Sequence, residues 1–235
     1  MLADNEIGTI QDIKALAAIA HGHGVMFHTD AVQAIGHIPV NVKRLGVDLM
    51  SASAHKFNGP KGCGFLYVKH GTPIKPFHHG GQQEAGLRAG TENVSGIVGM
   101  AMALQYHVKN MEESEKRLKE MAKTFKTIVS DNIPQAVFNG DCRKRLPGHV
   151  SVSFPNRDGE ALLHLLDLKG ICVSTGAACN SRSTEVSHVL RAIGLPVDVA
   201  KGTLRVTFGH GNTVLDAEAV ADTLVALLKK VMHNA

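Results

Sequence analysis

Two short apolar runs, each closing abruptly on polar residues with useful chemistry, constrain this chain more than any other feature. The first, Val25-Met26-Phe27-His28-Thr29, runs into Asp30, and the second, Val47-Asp48-Leu49-Met50-Ser51-Ala52-Ser53, runs into Ala54-His55-Lys56. Ahead of the first, Ile10 to Gly24 sets Ile13, Leu16, Ala17, Ile19 and Ala20 at helical spacing and ends in glycine, which gives an α-to-β step. After the second, a glycine-rich turn from Gly59 to Gly64 leads into a further strand, Phe65-Leu66-Tyr67-Val68. Strands interleaved with helices predict an α/β sheet, and in such sheets ligands sit beyond the carboxyl ends of the strands.

The pattern then changes. From about Thr91 to Ser130 the spacing predicts a long helix, with Ile97, Met100, Leu104 and Val108 followed by a charged run from Glu112 to Lys126. Beyond it, strands at Val150–Phe154, Ile171–Ser174 and Leu204–Phe208 alternate with helices at Glu160–Leu168, Ser187–Ile193 and Val214–Met232, a smaller α+β domain. The expected division is residues 1–111 and 112–235. There is no internal repeat and no low-complexity segment.

Composition argues against several classes of function. A formal charge of +4 on scattered basic residues, ten aromatic residues and no Trp leave neither a basic stripe nor a stacking platform for nucleic acid. No apolar run approaches the roughly 20 residues of a membrane span, and the opening Met-Leu-Ala-Asp-Asn-Glu lacks a signal-peptide pattern, so the expected location is the cytoplasm. The four cysteines include no Cys-x-x-Cys pair, so neither a disulfide framework nor a structural zinc site is expected. Among fourteen histidines, His21, His23 and His28 are close in sequence, as are His78 and His79, but along a helix end and a strand such ligands diverge; no metal site is expected.

Several residues remain as candidates. Asp30 closes a strand and points chemistry at a ligand crevice, yet its position also suits a helix N-cap. Ser53, His55 and Lys56 together can bind a phosphate and offer a nucleophilic amine; pyridoxal phosphate needs such a lysine, an acid for its ring nitrogen and donors for its phosphate. The plainer alternative is a solvated lysine beside a capping serine. Arg88-Ala89-Gly90-Thr91-Glu92-Asn93 places anion donors before a helix, or is simply a good helix start. Gly59 to Gly64 lacks a phosphate-loop ending and reads as a tight turn. Cys179 stands among small polar residues in a loop and is an accessible thiol, whereas Cys172 and Cys63 read as small buried hydrophobes. Arg205 on an alternating strand either clamps a carboxylate or forms a surface salt bridge.

In order along the chain, Asp4-Asn5-Glu6-Ile7-Gly8, His28-Thr29-Asp30-Ala31-Val32-Gln33, Ser53-Ala54-His55-Lys56, Arg88-Ala89-Gly90-Thr91-Glu92-Asn93 and Gly176-Ala177-Ala178-Cys179 resemble the NifS/IscS-type cysteine desulfurases, enzymes of the class V aminotransferase fold. The resemblance implies the C-terminal part of a fold type I large domain, with a mainly parallel sheet, joined to a small domain. It implies pyridoxal 5'-phosphate as cofactor, with Lys56 holding it in a Schiff base, Asp30 pairing with its ring nitrogen and Gln33 with its ring hydroxyl. Ser53 and His55 are then its phosphate ligands, and Thr91 serves the phosphate site of a partner subunit in a homodimer. Asn5 and Arg205 bind the carboxylate of L-cysteine, and Cys179 takes its sulfur as a persulfide destined for an acceptor or scaffold protein, as in iron–sulfur cluster assembly. The loop from about Ala177 to Thr184 is expected to move with that thiol.

Family members carry a substantial segment ahead of the Asn-Glu-Ile-Gly motif, with further phosphate ligands and a histidine that stacks on the cofactor. Its absence here leads to the expectation of weak cofactor binding and little turnover. Selenocysteine lyase shares the lysine, aspartate and cysteine set and is the nearest alternative; a non-catalytic remnant that binds a sulfur acceptor, or a sulfur carrier using Cys179 alone, are others.

Overall fold

The computed structural model describes residues 1–176 and 186–233, the side chains of 231–233 excepted. The chain forms two compact units, one of residues 1–3 and 11–111, the other of residues 4–10 and 112–235. The Asp4–Ile10 segment, expected in the first domain, therefore packs within the second.

In the first unit, helix α1 spans Ile13–Gly22 and leads to strand β1, His28–Asp30. The helix starts later than its periodicity suggests because Asp12 caps it, its Oδ1 accepting from the Ala15 amide at 3.1 Å. A short helix α2, Val42–Leu45, precedes β2, Leu49–Ser53, and β3 follows at Gly64–Val68. The sheet order is β1-β2-β3, with β1 parallel to β2 and β3 antiparallel to β2. Ala31, Ala34, Ile35, Val47, Met50 and Phe57 are among the buried residues of this unit. Asp48, at the start of β2, ties three elements together: its carboxylate takes the Phe27 amide at 2.9 Å, His21 Nε2 at 2.7 Å and Lys69 Nζ at 3.4 Å. These bonds, the Phe27 amide foremost, lower its pKa from 3.8 to about 2.

Helix α3, Val94–Lys109, closes the first unit, and α4, Met111–Asn132, opens the second. The single long helix expected over this stretch is thus two, parted at Asn110. The second sheet has the order β4-β5-β6, from Val137–Phe138, His149–Ser153 and Thr203–Thr207, all pairings antiparallel. Helices α5 (Gly159–Asp167), α6 (His188–Ala192), α7 (Val197–Ala200) and α8 (Val214–His233) complete the unit. Its core joins Leu118, Met121, Phe125 and Val129 of α4 to Val150, Val152, Leu204 and Val206 of the sheet and to Ala217, Ala221, Leu224 and Leu228 of α8. Residues 171–174, read as a strand, form only an isolated bridge between Ser174 and Arg205. Cys172 is accordingly exposed rather than buried, and Cys63 is only partly buried.

Candidate functional site

The first unit gathers its candidate residues at one edge of its sheet. The parallel register sets Asp30 beside Ser51, about 4.8 Å away across the strand pair, and β2 runs on two residues to Ser53 before the turn that carries the lysine. Past Asp30 the chain turns back at once: the Ala31 amide donates to the Ser51 carbonyl at 2.9 Å, and Asp30 Oδ1 accepts from the Val32 amide at 2.8 Å. The carboxylate thus organises the turn that follows it, as an N-cap would, and stays half-buried rather than sealed in the core. Gln33 lies half-buried on the same turn.

Beyond β2 the chain makes a short helical turn, Ala54–Phe57. Ala54 and Phe57 are fully buried, and they hold the turn down while His55 and Lys56 between them face solvent. The turn ends at Asn58, whose φ of 61° is left-handed, and the Gly59 amide closes it onto the Ala54 carbonyl at 2.9 Å. Ser53 stands at its head in extended conformation, but its side chain caps nothing, which removes the explanation of Ser53 as a structural cap. Asp30, Gln33, Ser53, His55 and Lys56 therefore share the carboxyl edge of one parallel strand pair, where an α/β sheet offers its binding crevice.

Thr91 is exposed just before α3 and does not cap that helix; Asn93 does, its Oδ1 accepting from the Gly96 amide at 3.1 Å.

Asn5 and Arg205 meet in the second unit. Residues 4–9 fold into a tight loop, with Asp4 Oδ1 accepting the amides of Glu6 and Ile7, both at 2.8 Å. Arg205 of β6 donates through Nη1 to the Asn5 carbonyl at 2.9 Å, and its own amide is bonded to the Ser174 carbonyl at 2.6 Å. The guanidinium is thereby oriented by backbone rather than left on an open sheet face. Cys179 lies outside the described residues, as does the loop around it.

Residues that the sequence did not single out surround both clusters. Glu6 is buried, and Ser187 donates its hydroxyl to Glu6 Oε2 at 2.5 Å. His149, also buried, donates through Nε2 to the Glu6 carbonyl at 3.0 Å. Burial pushes its pKa down from 6.5 to about 4, with Arg205 and Arg145 adding to the fall. In the first unit, His37 and His107 contact the lysine-bearing turn. Glu6 could have been suspected as a carboxylate next to Asn5 in the Asp4-Asn5-Glu6-Ile7-Gly8 motif, whereas nothing in the sequence separates these three histidines from the other eleven. His21 and His28 bond separately to Asp48 and Ser51, and among the described residues no group of three or more His, Cys, Asp or Glu could hold a metal ion.

Comparison with known proteins identifies the family. The chain is 48% identical over 231 residues to the cysteine desulfurase IscS of Dictyoglomus turgidum, covering 98% of this chain and 59% of that protein. It is 47% identical to the cysteine desulfurase IscS of Methanosarcina thermophila, covering 99% of this chain and 57% of that one. Among solved structures, a NifS-like protein from Rickettsia africae superposes with a TM-score of 0.89 at 33% identity, over 97% of this chain and 60% of the other. SspA in complex with cysteine superposes with a TM-score of 0.69 at 31% identity, over 88% of this chain and 57% of the other. The chain thus spans just under three fifths of the length of these curated relatives. A model of the class-V aminotransferases matches residues 1–220, nearly the whole sequence, and the chain belongs to that family.

Proposed function

We propose that this chain carries the cofactor lysine, ring acid and sulfur-accepting thiol of a pyridoxal-phosphate-dependent cysteine desulfurase. The observation that carries the proposal is the common strand edge: Asp30 closes β1, and Ser53 closes the neighbouring parallel strand β2, whose following turn carries His55 and Lys56. An exposed amine, a half-buried carboxylate and hydroxyl and imidazole donors are the groups a pyridine aldehyde phosphate requires, so the donor set fits the cofactor. When bound, pyridoxal phosphate supplies an aldehyde for an amine and a ring that takes up negative charge.

The residues divide the work. Asp30 would pair with the ring nitrogen, Gln33 would donate to the ring hydroxyl, and Ser53 and His55 would hold the phosphate, with Thr91 serving the phosphate site of a second copy in a homodimer. Lys56 would hold the cofactor through its amine, and as a free amine its Nζ would take up the substrate α-proton. Arg205, oriented by the Asn5 carbonyl, presents its planar fork to the cysteine carboxylate together with Asn5. The Cys179 thiolate attacks the substrate sulfur: a sulfur–sulfur bond forms, the carbon–sulfur bond breaks, its electron pair stays with the carbon skeleton, and protonation at Cβ together with return of the α-proton to Cα gives alanine. The resulting persulfide passes to a sulfur-acceptor or scaffold protein in the cytoplasm.

The experiment titrates the purified chain with pyridoxal phosphate, follows cofactor absorbance, and measures alanine released from L-cysteine. Lys56→Ala is expected to abolish the Schiff-base absorbance and the alanine, and Cys179→Ser to abolish the alanine while keeping the absorbance. Schiff-base absorbance undiminished in Lys56→Ala refutes the assignment. Turnover of selenocysteine in strong preference to cysteine would instead make the chain a selenocysteine lyase.

A further inference from the structure

The Lys56 side chain is exposed, so its direction depends on the short turn beneath it. Two imidazoles grip that turn. His37 Nε2 lies 2.8 Å from the Lys56 carbonyl oxygen, and His107 Nε2 lies 3.0 Å from Asn58 Oδ1. A carbonyl only accepts, so His37 carries its proton on Nε2 and is the donor. The rings themselves meet edge to face, centroids 5.8 Å apart.

The two arms come from different places. His37 belongs to the turn that Asp30 starts, whereas His107 projects from the last turn of α3, which packs against the lysine-bearing turn. Gly36 makes the approach possible: its φ is +82°, and a Cβ there would sit 2.8 Å from Phe57 Cβ and 3.4 Å from His107 Cβ. The chain carrying the acid is therefore pressed directly onto the turn carrying the amine.

We infer that His37 and His107 are positioning residues for Lys56, with His37 fixing the peptide plane that follows the lysine and so the direction in which its amine leaves the backbone. His107 restrains the left-handed Asn58 two residues on. This rests on Lys56 being the cofactor lysine; the grip itself does not. Sites of this kind tolerate misplacement of only about 0.5 Å, so a turn that rocks is a turn whose lysine reacts poorly.

The test compares the full chain with His37→Leu, which removes the donor, and His37→Gln, whose amide N–H reaches a similar point. The first readout is hydrogen exchange of the Ala54–Gly59 amides, without cofactor. Exchange in His37→Leu is expected to be roughly fivefold to tenfold faster, the scale of one lost hydrogen bond, and to return close to the starting rate in His37→Gln. His107→Leu is expected to act in the same direction. The second readout treats each protein with pyridoxal phosphate and borohydride and maps the modified lysines by mass spectrometry. His37→Leu is expected to lower labelling of Lys56 several-fold relative to other lysines, with rescue by His37→Gln. Unchanged exchange in His37→Leu overturns the inference, as does Lys56 labelling that stays the same while exchange rises. If the starting chain shows no preference for Lys56, the proposed function fails, and the exchange result alone then decides whether the histidines hold the turn.

Discussion

The buried imidazole of His149 sets a pH dependence that can be worked through. It is only 5% exposed and donates to the Glu6 carbonyl, and burial holds its pKa at about 4 against 6.5 in an open chain. Below 6.5 the unfolded chain therefore binds a proton that the folded chain refuses, so stability falls as the pH falls and levels off below about 4. The loss from this one group is about 2 kcal/mol between about pH 7 and about pH 5, and approaches about 3 kcal/mol when complete. In a unit of about 130 residues, 2 kcal/mol corresponds to a drop in Tm of roughly 6–10 °C. Other groups titrate over the same range, so the signal is a difference between proteins. His149→Gln keeps an N–H for the Glu6 carbonyl and has no ring to protonate. Thermal melts followed by circular dichroism at the two pH values are expected to show the variant losing about 2 kcal/mol less than the parent on acidification. Equal losses in both proteins would refute the argument, because they would mean that His149 binds its proton as readily folded as unfolded.

Further outcomes follow from other contacts. The carboxylate of Asp48, held at about 2, contributes stability that is complete above its ordinary 3.8 and disappears as the pH falls through about 2. Because His21 and Lys69 are well exposed, screening reduces the contribution to about 1–2 kcal/mol; Asp48→Asn should cost that much near neutrality in denaturant titrations and flatten the acid limb. At Gly202 an added Cβ would run into the Phe154 carbonyl oxygen, a backbone atom with little room to yield. Gly202→Ala is expected to destabilise the second unit by about 3 kcal/mol or more, read from its Tm.

Much of the fold was legible because periodicity and capping acted locally. The strand now seen at Leu49–Ser53 and the helix at Val214–His233 follow directly from their apolar spacing. Misreadings arose where tertiary partners decide. Val25 and Met26 look like strand interior, yet pairing begins only at His28, and both residues stay exposed. Ile171–Ser174 has strand composition but finds one bridge, at Ser174, instead of a ladder. The two-residue β4 is too short to show any alternation. At the site, the amine and acid were visible because each closes an apolar run. The histidines around them were not, since a bond from His37 to the Lys56 carbonyl, nineteen residues away, leaves no mark on local sequence. The Asp4–Ile10 segment was assigned by order along the chain, whereas its packing partners are Lys144, Leu146, His149 and Arg205.

That last arrangement bears on any effort to dissect the protein. Since residues 4–10 complete the second unit, severing the backbone after Met111 does not liberate an intact module. A recombinant fragment of residues 112–235 would retain the His149 ring without its Glu6 acceptor and the Ser187 hydroxyl without its carboxylate. A synthetic peptide spanning the first dozen residues, added in trans, is the natural reagent to make that fragment whole.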